Sequence, residues 1–231
     1  MKTMAFFSPL SPLPSGVAVY ADRLAKELAA QWDITFYIDG DYAPTVVGGL
    51  GEVKHHREFR GREDMALYQA SNGPLHAYMY PYILKYGGPI TLHDSTLHDM
   101  VLTYWEGRGR SRFWIDFILN EGLGGLMRAA APLPDGGGVS KRILRNLYLD
   151  EERKRDSFTF FKRVVKRASG IIAHSRWVAE AASRAGATRD IFKLPLAVEP
   201  APPAVTTGEA RNALNLGKVG IGEDTFVAMA Y

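Results

Sequence analysis

Short apolar runs alternate with amphipathic stretches along this chain. Met4–Phe7, Asp33–Ile38, Met65–Gln69, Ile90–Leu92, Ile171–His174 and Ile191–Leu194 are too short for buried helices. Such runs, bounded by Gly, Pro, Asp or Ser, predict strands buried on both faces of a parallel sheet. A more exposed strand is predicted at 52–59, after a loop-rich stretch at 39–51. Between the strands the period changes. Val17, Tyr20, Leu24 and Leu28 recur at helical spacing and predict a helix over Val17–Gln31, with Ser15 as its N-cap. Helices are also predicted at Leu75–Tyr86, despite Pro81 in its interior, and at Trp177–Ala185, stopped by Gly186. From Asp94 to Ala168 the pattern is almost wholly helical, broken at Gly107–Gly109, Gly122–Gly125 and Pro132–Gly138. Lys141–Leu149 and Asp150–Ala168 then form one long basic helix or two in succession. Strands alternating with helices predict an α/β fold: a Rossmann-like doubly wound parallel sheet, with a helical insertion after the central strand that ends at His93.

The proline-rich stretch Pro195–Pro203 marks a linker, so residues 1–200 form one domain and 201–231 the linker and start of another. Glu209–Leu216 is a short predicted helix and Thr225–Ala230 a buried strand, after which the chain ends at Tyr231. One strand alone cannot bury two faces. The expectation is therefore the front half of a longer protein, with the rest of a C-terminal domain as its covalent partner.

Composition narrows this further. With no cysteine, disulfides and thiolate chemistry are excluded. Ser8-Pro9 and Pro12 interrupt the N-terminus too early for a secretory segment, and no apolar run approaches the roughly 18 residues of a membrane span. A soluble, cytoplasmic protein is expected, with no nucleic-acid partner. The net charge of +3 is uneven: residues 107–168 carry 14 Lys and Arg against 7 Asp and Glu, leaving 14 against 18 elsewhere. That segment has two readings. Its apolar residues pack on the core beneath a solvated charged face, or they lie on an anionic membrane surface, making the protein membrane-associated.

The chemistry gathers at strand ends. In a doubly wound sheet, ligands bind beyond the carboxyl ends of the strands. Asn72, His93-Asp94, His174-Ser175-Arg176 and the loop Ser15-Gly16 all fall there. A strand, a glycine-bearing loop and a helix N-terminus together make an anion site, with N–H groups and the helix dipole facing the loop. His93 either ends a strand or reaches substrate, and Asp94 either caps the next helix or takes part in chemistry. If that helix starts at Asp94, Asp94 and His98 share a face at i, i+4; no third ligand is evident, so no metal is assigned. His55 and His56 sit on a predicted strand, where neighbours point to opposite faces, so they read as a solvated edge rather than a metal pair. His76 and His174 read as structural histidines.

Three stretches resemble the N-terminal domain of a GT-B glycosyltransferase, specifically retaining glycosyltransferase family 4. They are FFSPLSPLPSGVAVYADRLAKELA, YQASNGPLHAYMYPYILKYGGPITLHDSTLHD and RASGIIAHSRWVAEAASRAGA, and DTFVAMAY resembles the first strand of that family's C-terminal domain. The resemblance spans residues 3–200 in broad outline. It implies transfer of a hexosyl group from a nucleotide-sugar donor to a glycan or lipid-linked acceptor, with retained anomeric configuration and no cofactor. Ser15, Gly16 and Val17 would bind the donor's phosphates, although the family usually has paired glycines there. His93 would contact the donor sugar and stabilise charge at the anomeric carbon, with Asp94 beside it. Asn72, His98, Ser175 and Arg176 would face the acceptor or sugar. The family's nucleotide-binding glutamate pair belongs to the C-terminal domain. The competing readings are a non-catalytic nucleotide- or sugar-binding module and a membrane-surface docking domain. A carboxylate nucleophile at Asp94 would need a second carboxylate about 5 Å away.

Overall fold

A computed structural model describes residues 1–131 and 158–196. Seven parallel strands form one sheet in the order β3-β2-β1-β4-β5-β6-β7: β1 Lys2–Phe7, β2 Trp32–Ile38, β3 Gly51–His55, β4 Met65–Ala70, β5 Gly88–Leu92, β6 Ala168–Ala173 and β7 Ile191–Lys193. The fold is α/β and Rossmann-like. Helices α1 (Gly16–Leu28), α2 (Tyr80–Tyr86), α3 (His98–Trp105), α4 (Arg110–Ala129), α5 (Phe161–Arg167) and α6 (Arg176–Arg184) flank the sheet. The chain divides into two units, Met1–Leu196 and Ala197–Tyr231. The helix expected at 209–216, the strand at 225–230 and the basic segment 141–157 lie outside the described residues.

Alternation sets the two layers. Phe6, Leu67, Ile34 and Phe36 join the layer under α1, while Phe7, Tyr68, Ile90, Leu92 and Ile171 join the layer of the remaining helices. Neighbouring residues of β1 and β4 therefore feed opposite cores, as a two-residue period requires. Gln69, Thr91, His93 and His174 have the α1-side parity, so a polar stripe crosses the carboxyl ends of β4, β5 and β6 on that face.

Several boundaries differ from expectation, each for a local reason. Pro81 lies in the first turn of α2, where a missing N–H is no loss, because a 3-10 helix (Pro74–Met79) precedes it. The strand predicted to 59 stops at His55, where a 3-10 turn, His56–Glu58, closes with a capping box. The helix after β5 starts at His98, not Asp94. Gly122 leaves the helical region at φ 71°, kinking α4 at one of the predicted glycine breaks.

The helical insertion is fastened by one polar hub. Asp116, 1% exposed on α4, accepts from Tyr80 Oη at 2.8 Å, from Trp105 Nε1 at 2.8 Å and from the Arg163 guanidinium. Asn120 donates to Tyr80 Oη at 3.1 Å and accepts from the Arg163 backbone N–H at 3.1 Å. Four helices, α2 to α5, meet there. On α5 the apolar residues Phe161, Val164 and Val165 face the core while Lys162, Lys166 and Arg167 are exposed. On α5, then, the apolar residues of the basic segment are buried and these charges lie on the solvent side. No helix among the described residues is long and apolar enough to cross a membrane.

Candidate functional site

The sheet's order reverses between β1 and β4, since β2 and β3 lie on one side of β1 and β4 to β7 on the other. The crevice beyond that point is where a doubly wound sheet binds ligands. On one side of it stands the N-terminus of α1. Ser15 has extended N-cap geometry, yet its hydroxyl caps nothing, and no acidic side chain occupies the first turn. A Cβ built on Gly16 would meet nothing within 4 Å. The loop before it is tied by Ser11 N–H to Asp22 Oδ2 (3.4 Å) and Leu10 N–H to Tyr42 Oη (3.1 Å). Thus Ser15, Gly16 and Val17 present an uncapped, uncompensated positive helix end.

His93 forms the opposite wall. Its backbone N–H reaches Ala70 O at 3.0 Å, which extends the β4–β5 pairing one residue past β5. Its Nε2 lies 3.0 Å from Gln69 Oε1, an acceptor, so Nε2 carries the proton and Nδ1 keeps a lone pair. Burial pushes its pKa down to about 3, helped by the neighbouring His174 and His76 and opposed by Asp94. The imidazole is neutral at physiological pH.

Tyr20, from the second turn of α1, joins the two walls. Its ring centroid lies 5.0 Å from that of His93 and 4.8 Å from that of His174, and the two imidazoles are 5.2 Å apart. Sequence periodicity marks Tyr20 only as a core-facing helix position. His174 is hydrogen-bonded to backbone, as expected, with one ring nitrogen to spare. Its Nδ1 donates to Leu194 O at 3.0 Å, leaving Nε2 a buried acceptor with no partner among the described residues. His76 is structural as expected: buried, with Nδ1 on Gln69 O at 2.8 Å, and burial lowers its pKa.

Other expected site residues hold backbone instead. Asp94 accepts from the Ser71 hydroxyl and from Asn72 N–H (2.7 Å), so it neither caps a helix nor stands free. Asn72 is locked to the start of α3, its Oδ1 accepting from Asp99 N–H at 2.7 Å and its Nδ2 donating to Asp99 Oδ2 at 3.2 Å. His98 is 1% exposed, with Nδ1 on Phe158 O at 3.1 Å and its ring against Phe160. It does not reach the crevice, and the Asp94–His98 pairing fails because no helix joins them. Ser175 caps α6 through Val178 N–H (3.2 Å), and Arg176 pairs with Glu180 at 2.6 Å in solvent. Beside them Trp177, which the sequence reading passed over, is 63% exposed.

The structure also revises the histidine pair at the edge. Because β3 ends at His55, the two rings lie on one side, their centroids 4.5 Å apart, and with Asp39 they place three ligand atoms within 4.8 Å. The protons argue for hydrogen bonding to Asp39 rather than a metal. Arg57 N–H points at His55 Nδ1 (3.1 Å), which leaves the proton of the neutral ring on Nε2, the atom a metal would need. His56 Nε2 lies 3.3 Å from Asp39 Oδ1.

No family model matches the chain, and comparison with curated proteins and with solved structures returns none similar to it.

Proposed function

We propose that this chain is the acceptor-side half of a retaining glycosyltransferase of the GT-B type. It moves a hexosyl group from a nucleotide sugar to a carbohydrate or lipid-linked acceptor. One observation carries the reading: the uncapped α1 N-terminus and the neutral His93 face one crevice at the sheet's switch point, bridged by Tyr20. The N–H groups of Gly16 and Val17 hold the donor's diphosphate. As the bond from the anomeric carbon to the phosphate oxygen breaks, negative charge grows on the diphosphate, where the helix end stabilises it. Positive charge grows on the anomeric carbon, and a neutral imidazole with a lone pair on Nδ1 tolerates it where an imidazolium would repel it. The acceptor oxygen bonds to that carbon on the same face and passes its proton to the leaving phosphate oxygen. We read Asp94, whose Oδ2 is engaged by Ser71 and Asn72, as positioning the β4 loop rather than as a nucleophile.

Gly16→Ala tests this. A methyl there meets no protein atom, so the fold stands, but it occupies the space through which a phosphate reaches the helix end. Amide spectra of the chain with UDP- and GDP-hexoses are expected to move the Gly16 and Val17 signals and the His93 ring. In Gly16→Ala those shifts are lost. Donors that leave both regions unmoved at millimolar concentration overturn the reading.

A second reading, docking on an anionic membrane surface, is favoured by α4. Ile115 and Leu119 before the kink, and Leu123 and Met127 after it, are 62%, 50%, 70% and 76% exposed. Each pair has i, i+4 spacing, and exposed Arg112 lies one turn before Ile115.

A further inference from the structure

We infer that the groove between α5 and α6 is a carbohydrate subsite that holds one hexose ring of the acceptor against Trp177. The inference rests on the glycosyltransferase reading for the word acceptor, and on the groove itself for the word carbohydrate. The cavity measures about 330 Å³, and among the described residues its wall includes Ser95, Thr159, Phe161, Trp177 and Arg184. Small-molecule clefts run from about 300 to 1,000 Å³, so this one suits a single sugar ring and not a nucleotide.

Its chemistry is that of a sugar site. The buried face of α6 is made by Val178, Ala179 and Ala182, so the helix packs on the sheet without help from Trp177. The indole instead stands at the groove, 63% exposed, with the Arg184 guanidinium over its ring. An aromatic face is electron-rich and attracts the weakly positive C–H groups that line one side of a pyranose. Arg184, two turns along the helix, carries its guanidinium 5.7 Å from the Trp177 ring centroid, with its side chain 62% exposed. A guanidinium brings five N–H donors, and the hydroxyls of Ser95 and Thr159 both donate and accept. Sugar hydroxyls need this mixture. No carboxylate is among the described wall residues.

Position ties the groove to the crevice. Ser95 is two residues beyond His93, and Trp177 three beyond His174, the two imidazoles that face one another across Tyr20. The groove therefore starts, at Ser95 and Trp177, next to those strand ends and runs along α6 to Arg184.

The test uses the whole chain, with methyl hexopyranosides and, separately, inorganic phosphate as probes; it reads the backbone amide signals of Ser95, Thr159 and Arg184 in every variant, and in wild type also the Trp177 indole N–H signal assigned with Trp177→Phe. A saturable shift with at least one hexoside is expected. Its affinity falls about tenfold in Trp177→Ala and in Arg184→Ala, stays within about threefold in Trp177→Phe, and is unchanged in Gly16→Ala. Hexosides that shift nothing, equal affinity in Trp177→Ala, or saturation by phosphate alone overturns the subsite. If nucleotide sugars bind at Gly16 but no hexoside binds at Trp177, the glycosyltransferase reading stands and this inference falls. If hexosides bind and no nucleotide sugar does, the carbohydrate site stands and its assignment to an acceptor falls.

Discussion

Acidification gives the sharpest check on His93, because its neutral state is built into the crevice. Burial lowers its pKa in the fold to about 3, whereas the unfolded chain binds the same proton near 6.5. Above about pH 6.5 neither state carries the proton and stability is full. As pH falls below that value the unfolded chain takes up a proton that the native site refuses, so stability declines with pH. Between about pH 7 and pH 5 one such histidine removes about 2 kcal/mol. Other groups contribute to the total. His76 and His56 are also lowered by burial and act with the same sign. Burial raises the carboxyl of Glu121, so the native state holds that proton where the unfolded chain has released it, which favours the fold on the acid side. A comparison with His93→Gln isolates the histidine, since glutamine keeps a polar group at the strand end and cannot titrate. Urea unfolding of both proteins at the two pH values should show wild type losing about 2 kcal/mol more than the variant. Equal losses would mean that native His93 is protonated in this range. The neutral-imidazole role in transfer would then be withdrawn with it.

Three further outcomes follow from named contacts. Asp116→Ala leaves the Arg163 guanidinium, Tyr80 hydroxyl and Trp105 N–H without their common acceptor, and should cost about 3–5 kcal/mol in urea unfolding, near the lower end because the Arg163 side chain is 30% exposed; a loss under about 1 kcal/mol would remove the hub from the account. Gly88→Ala puts a Cβ 2.1 Å from Ala66 O at φ +130°, so a loss of about 3 kcal/mol or more is expected, and normal stability would show that β4 and β5 are not paired as described. Sedimentation with anionic but not zwitterionic vesicles, weakened by Leu123→Glu with Met127→Glu, is the outcome for membrane docking by α4; equal partitioning to both vesicle types, or to neither, ends that reading.

The fold was legible because parallel strands buried on both faces read as continuous apolar runs, and all six such runs are strands here. What misread was local. At His55 the alternation rule assumed a strand that continued, but the capping box of Glu58 turns the chain and brings His56 to the same side. Asp and Ser after β5 suit an N-cap and allow a helix from Asp94, yet Asp94 reaches across to Ser71 and Asn72 at the end of β4 and the helix starts at His98. Contacts between loops from different strands leave no trace in a single sequence. Tyr20 fits the helical period like any core residue, and only the packing shows that it lies against two histidines.

Residue type alone therefore ranked the site poorly, and remaining bonding capacity ranks it better. Asn72, Asp94, His98 and Ser175 are polar groups at or near strand ends, and each already spends its side chain on backbone that must not move. Their role is rigidity: Asn72 and Asp94 pin the β4 loop to the segment after β5, so the wall carrying His93 is set before any ligand arrives. A crevice of this kind acts on charge through preorganisation, because groups that need not turn to meet a developing charge lose no energy in doing so. The groups with capacity left are different ones. They are the N–H groups at the start of α1, the Nδ1 lone pair of His93, the buried Nε2 acceptor of His174 and the exposed face of Trp177. The proposed donor site at Gly16 and His93 and the proposed sugar site at Trp177 rest on that same division, which is why Gly16→Ala and Trp177→Ala test them separately.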